Sequence, residues 1–179
     1  VAYTLCRGLY MKRLGRDYDG TVELAALGTI ADVVSLTGEN RILVKEGMKR
    51  FIHTPIKGLA ALLKASGIVH DDTTEIRRAD QVSFGLAPRL NAAGRIARAS
   101  EGVRLMTTES AEEAERLAQK LCEINTMRQQ IERDIFEQAK SRMAELGIEN
   151  DMAVVVDGKD WHPGVIGIVA SRILESCHR

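Results

Sequence analysis

The chain has 179 residues, 45% of them hydrophobic and 28% charged, and its 25 basic side chains balance 25 acidic ones, so no global field selects a nucleic acid or a membrane surface. That length holds one domain with a real core, or one and a piece, and the composition excludes a disordered or fibrous chain. Aromatic residues make up only 4%, which leaves the core to Leu, Ile, Val and Ala on closely packed helices.

Cys6, Cys122 and Cys177 lie far apart and form no CxxC pair, which points to a reducing compartment and against a structural zinc or a disulfide framework. There is no signal-like segment and no apolar run of spanning length, so a soluble, cytoplasmic protein is expected. The sequence opens without methionine, already in a helical pattern, and stops just after an apolar helix. An internal fragment of a longer protein is the expectation.

In chain order, residues 1–14 carry apolar side chains at helical spacing and stop at Gly15. Residues 16–21, RDYDGT, form a turn; Asp17 and Asp19 before Gly20 hint at a metal loop, but acids before a glycine are ordinary turn chemistry. Apolar helices are predicted over 22–34, 38–52 and 56–65, with Pro55 placed to begin the last and Gly67 to end it. Within the stretch LGTIADVVSLTGENR, Asp32 sits among Ile30, Ala31, Val33 and Val34. An ionised carboxylate in such company is costly unless a cation, an arginine or several backbone N–H groups receive it. Asp32 is therefore the candidate catalytic metal ligand, its partners lying outside the chain; the alternative is a cap or a salt-bridged aspartate at an element end.

The polar stretch 70–74 reads as a loop, with Thr73 or Thr74 capping a helix through 77–84. Residues 85–96, GLAPRLNAAGRI, are rich in small side chains and interrupted by Pro88, which predicts a tight turn where backbones approach closely. Between Ile76 and Leu105 stand six arginines, no lysine, and only Asp80 and Glu101 as acids. Arginine without lysine suits bidentate phosphate or carboxylate recognition. Arg77, Arg78, Arg98 and Arg104 fit a solvated face or ion pairs. Arg89 and Arg95, flanking Asn91, are the candidate nucleic-acid contacts.

Ser110 to Glu113 spell a capping box, and nothing breaks the helical pattern from there to Leu146, with Gly147 behind it. Leu117, Leu121, Ile124, Ile131, Ile135, Ala139 and Met143 fall on one stripe. Such a helix spans about 55 Å at about 1.5 Å per residue. It is expected to join two domains, or to form a self-associating coil. Residues 152–156, MAVVV, read as a buried strand, followed by a polar loop and a helix beginning at Pro163 and Gly164. That order offers backbone N–H groups to an anion. Trp161 and His162 at the entrance suit base stacking and phosphate contact, the alternative being a tryptophan that closes a domain junction.

Together, LGTIADVVSLTGENR, FGLAPRLNAAGR and WHPGVIGIVASR resemble successive motifs of the RecJ-type single-strand exonucleases of the DHH phosphoesterase superfamily, in order, over about residues 1–175. The resemblance implies an α/β parent of which this chain is a mostly α-helical fragment. Residues 1–106 would be the C-terminal part of the DHH catalytic domain, 107–147 a long interdomain helix, and 148–179 the first strand and helix of a DHH-associated domain. It implies hydrolysis of single-stranded DNA from the 5′ end with Mn2+ or Mg2+, in repair and recombination, with repair proteins as partners. Asp32 matches a metal-ligating aspartate of the family. Arg89, Asn91 and Arg95 match the motif closing the catalytic domain; Trp161, His162 and Gly164 match the start of the associated one. The family's Asp-His-His triplet is not in the sequence, because no two of His53, His70, His162 and His178 are adjacent. The fragment is thus expected to hold no complete active site and to bind no metal by itself. A DHH phosphodiesterase of short oligonucleotides or cyclic dinucleotides, and a non-catalytic DHH-like scaffold for DNA or protein, remain alternatives.

Overall fold

The apolar stripes read from the sequence become helices that bury those stripes against one another. The computed structural model describes residues 1–18, 20–69, 76, 78–148 and 151–177. Among them run α1 (Ala2–Leu14), α2 (Val22–Ala31), α3 (Gly38–Arg50), α4 (Lys57–Ala65), α5 (Ala79–Gly85), α6 (Ala87–Ile96), α7 (Ser100–Thr107), α8 (Ala111–Leu146) and α9 (Pro163–Ser176). No helix among the described residues is long and apolar enough to cross a membrane. The expected caps Thr73 and Thr74, along with Asp19, His70, Arg77 and His178, lie outside the described residues.

The organising element is α8, 36 residues long and ended by Gly147 in the left-handed region. Its N-terminal half carries Leu117 and Leu121 into a core shared with Leu27, Phe51, Leu62 and Leu86. Each fully buried leucine there contributes about 1.5–3 kcal/mol. Its C-terminal half presents Ile135, Phe136 and Ala139 to Val165 and Val169 of α9, a second and smaller cluster. Between the two lies a polar node. Arg128 Nη1 is 2.6 Å from one oxygen of Glu132 and its Nη2 donates to buried Asn125 at 3.0 Å. Arg172 of α9 lies 3.4 Å from the other oxygen of Glu132, its guanidinium 4.3 Å from the centre of the Phe136 ring. The capping box at the start of α8 is half made. Ser110 Oγ accepts from the Glu113 N–H at 3.2 Å, but the Glu113 carboxylate turns to the Thr108 hydroxyl and to Arg104.

α1 buries no residue and is held to the turn behind it by a two-pronged Arg7 to Asp17 pair and by Tyr3 and Tyr10 against Tyr18. Three elements differ from expectation. α2 stops at Ala31, short of Val34, because Val33 adopts φ +53°. Residues 85–96 form no tight turn: Pro88 falls in the first turn of α6, where its missing N–H costs nothing. Residues 152–156 are neither buried nor a strand, with Met152 99% and Val155 85% exposed. A buried strand needs neighbours for both rows of its backbone groups, and the described residues include no strand to pair with.

Candidate metal-ligand and nucleic-acid-binding site

Asp32 is the residue that closes α2, its N–H donating to the Gly28 carbonyl at 3.0 Å. Beyond it the Val33 N–H reaches Ile30 O at 3.1 Å and the Val34 N–H reaches Thr29 O at 3.4 Å, the paired bonds of a Schellman motif. That motif needs a left-handed residue, normally glycine, and here a β-branched valine supplies it. The Asp32 side chain is exposed, contrary to the buried position expected from its apolar neighbours; two residues beyond buried Ile30, it falls about 200° around the helix from the buried stripe. It lines a groove of about 1020 Å³ between α1, α2 and α3, alongside Lys12, Glu39 and Asn40, and that groove includes none of Arg89, Asn91 or Arg95. A carboxylate at a helix C-terminus faces the negative end of the macrodipole, an arrangement that a cation relieves. Among the described residues, no three His, Cys, Asp or Glu side chains gather into a metal-sized group.

The candidate arginines part company. Arg89 turns inward, its Nε donating to Cys122 Sγ at 3.3 Å and its Nη groups to the Gly85 and Ser66 carbonyls. It ties the ends of α4 and α5 to α8, with its guanidinium donors engaged inside the fold. Asn91 and Arg95, four residues apart on α6, are both exposed. Arg95 gives one Nη1 bond to the Gly164 carbonyl at 3.2 Å. Of the other described arginines in this stretch, Arg78 pairs with Asp80 and Arg104 with Glu113, so exposed Arg98 joins Arg95 as an open cation among the described residues.

α9 meets this face end on. Gly164 approaches the backbone of Arg95 so closely that a Cβ there would lie 2.2 Å from the Arg95 carbonyl oxygen. His162 caps α9, its Nδ1 accepting from the Gly164 N–H at 3.1 Å, while the His162 carbonyl accepts from Val165 and Ile166. The first turn of α9 therefore has its N–H groups satisfied internally and offers none of the anion site expected there. The cap has a second effect: with Nδ1 as acceptor, the neutral ring carries its proton on Nε2. Trp161 is engaged too, its indole N–H donating to Gln138 at 2.9 Å and its ring packed over Gly158 and the second cluster. It packs at the junction between α8 and α9, the alternative to base stacking weighed for it from the sequence.

No family model matches the chain. The single-stranded-DNA-specific exonuclease RecJ of Bacillus subtilis is 38% identical over all 179 residues, which are 22% of its length. The RecJ proteins of Thermus thermophilus, 41% identical over 157 residues, and Escherichia coli, 38% over 162, each align with 88% of this chain, spanning 22% and 27% of their own lengths. A crystal structure of Thermus thermophilus RecJ in complex with Mg2+ superposes on the whole chain with a TM-score of 0.84 at 37% identity, over 27% of its own length. An exonuclease RecJ bound to manganese does so with a TM-score of 0.82 at 39% identity, over 44% of its length. The chain is homologous to a part of RecJ. It spans about a quarter of the curated RecJ relatives it matches. Within that RecJ-like segment, sequence reading missed the strained Val33 and the close packing of Gly164. Only the last had a usable signal, a glycine directly after proline at a helix start.

Proposed function

We propose that this chain is the portion of a single-strand-specific DNA exonuclease that contributes one metal ligand, Asp32, and one phosphate-holding face, Asn91 and Arg95 with His162. The observation that carries this reading is Asp32 itself: an exposed carboxylate at the negative end of α2, fixed by a backbone turn that strains its neighbour Val33. Strain of this kind costs about 1–3 kcal/mol and gathers at functional sites. A carboxylate oxygen suits Mg2+ or Mn2+, the ions named for the RecJ structures. Asp32 fits as one ligand of a set completed by polypeptide outside the described residues. When bound, the ion supplies Lewis-acid activation of the phosphate and of an attacking water.

The residues of this chain bind and orient. Arg95, with one N–H held by Gly164, keeps its other donors for phosphate oxygens, and His162, whose Nδ1 caps the same Gly164, offers its Nε2–H as a further donor. The Asn91 amide can reach either a phosphate or a base edge. On this reading the substrate is single-stranded DNA met in the cytoplasm during repair and recombination, digested from its 5′ end alongside other repair proteins. The test uses the full-length protein that contains this segment. Asp32→Ala abolishes Mn2+-dependent release of nucleotides and leaves oligonucleotide binding in EDTA unchanged; cleavage at the wild-type rate would remove Asp32 from the ligand set. Arg95→Ala weakens binding of all sequences alike and lowers the slope of log affinity against log salt by about 1. A slope equal to wild type would take Arg95 off the phosphate path.

A further inference from the structure

The face of α6 that carries Asn91 and Arg95 does not begin at α6. Leu86, between α5 and α6, keeps φ −94° and ψ −51°, and the Leu86 N–H reaches Val82 O while the Leu90 N–H reaches Leu86 O. The two helices thus run end to end. Phe84 stands seven residues before Asn91 and eleven before Arg95, spacings that return to one side of a helix, and the single linking residue Leu86 keeps the helical region. It is 79% exposed and belongs to neither apolar cluster. Exposure alone says little about an apolar side chain. An open aromatic ring in line with an amide and an open guanidinium, with Arg98 just past the helix end, is a more particular arrangement.

We propose that Phe84 is a stacking platform for an unpaired base of the strand whose phosphates Arg95 holds. The inference rests on the proposed function and deepens it, because it names how bases as well as phosphates are engaged. About 16 Å of helix separates Phe84 from Arg95 at about 1.5 Å per residue, so one extended strand reaches both. The chemistry fits single strands: a ring face accepts any base, guanidinium groups accept any phosphate, and neither reads sequence. A paired base hides its faces within the stack, so the platform also favours single strands over duplex.

The test measures binding by the full-length protein in EDTA, with an oligo-dT and an abasic oligonucleotide of equal length as probes. Phe84→Ala and Phe84→Leu weaken oligo-dT binding by between about 5-fold and 150-fold, leave the abasic strand unaffected, and Phe84→Trp restores the loss. Wild-type affinity in the leucine variant would overturn the proposal, since it would mean that only apolar bulk is needed, as in docking against polypeptide. Equal weakening toward both probes would overturn it as well, by making Phe84 a structural residue. If Arg95→Ala weakens both probes while the Phe84 variants change neither, stacking fails and the phosphate face stands. If the wild-type protein binds neither probe, the proposed function falls with it.

Discussion

Val33 holds a left-handed conformation that glycine adopts freely and a β-branched residue resists by about 1–2 kcal/mol. Val33→Gly is therefore expected to raise stability by about 1 kcal/mol in chemical denaturation, an unusual gain for placing glycine beside a helix. A loss of stability would mean that the exposed valine side chain is held by contacts outside the described residues. Gly164 makes the opposite case. A methyl group there would meet the Arg95 carbonyl at 2.2 Å, and both atoms belong to packed helix ends with no flexible tip to move. Gly164→Ala should destabilise by about 1–3 kcal/mol and loosen amide exchange around Arg95 and His162. Unchanged exchange there would separate α9 from α6 in energetic terms. Asp32 was legible in the sequence as an acid among apolar residues, but its exposure was not. Apolar neighbours in sequence do not say on which side of the helix a residue falls.

Helices were legible wherever an apolar stripe met a stop: Gly15 ends α1, Gly67 follows α4 and Gly147 ends α8, all three in the left-handed region. What spacing could not convey was the division of α8 into two apolar halves around the Arg128, Glu132 and Arg172 node, since the stripe runs through both. Pro88 misled because the same residue ends a helix in mid-run and starts one in the first turn; only the conformation of Leu86 decides between them. Residues 152–156 misled for another reason, since strand-forming side chains need a partner strand before they pair. The two halves of α8 predict different responses. Leu121→Ala, fully buried in the larger core, should cost about 2–5 kcal/mol and shift the main unfolding transition. Phe136→Ala should loosen α9 first, seen as faster amide exchange in α9 with α2 to α7 little changed. Equal exchange along the whole chain would make the two clusters one cooperative unit.

At the scale of the molecule, several surface carboxylates are held in their charged form by neighbouring donors and cations. Glu113 is held below its ordinary value of 4.5 by the Thr108 hydroxyl, with Arg104 assisting against partial desolvation, and Glu101 is held below 4.5 by Lys120. Asp17 is lowered from 3.8 by Arg7. A carboxyl whose value falls on folding adds stability above its unfolded value, and that stability disappears as pH drops through the folded value. Glu113→Gln should thus destabilise at neutral pH and approach the wild type once acid has protonated Glu113 in the folded and unfolded states alike, in melts taken from pH 7 downward; a constant gap at all pH would exclude this origin. Since α8 fixes both where α9 starts and the azimuth at which it meets α6, its residue count is a measured quantity. One extra residue between Leu121 and Ile135 would swing α9 by about 100° away from Arg95. Seven would return it to within about 20° of its bearing yet carry it about 10 Å too far along. Surface substitutions on α8 are therefore open to drift, while its length is not.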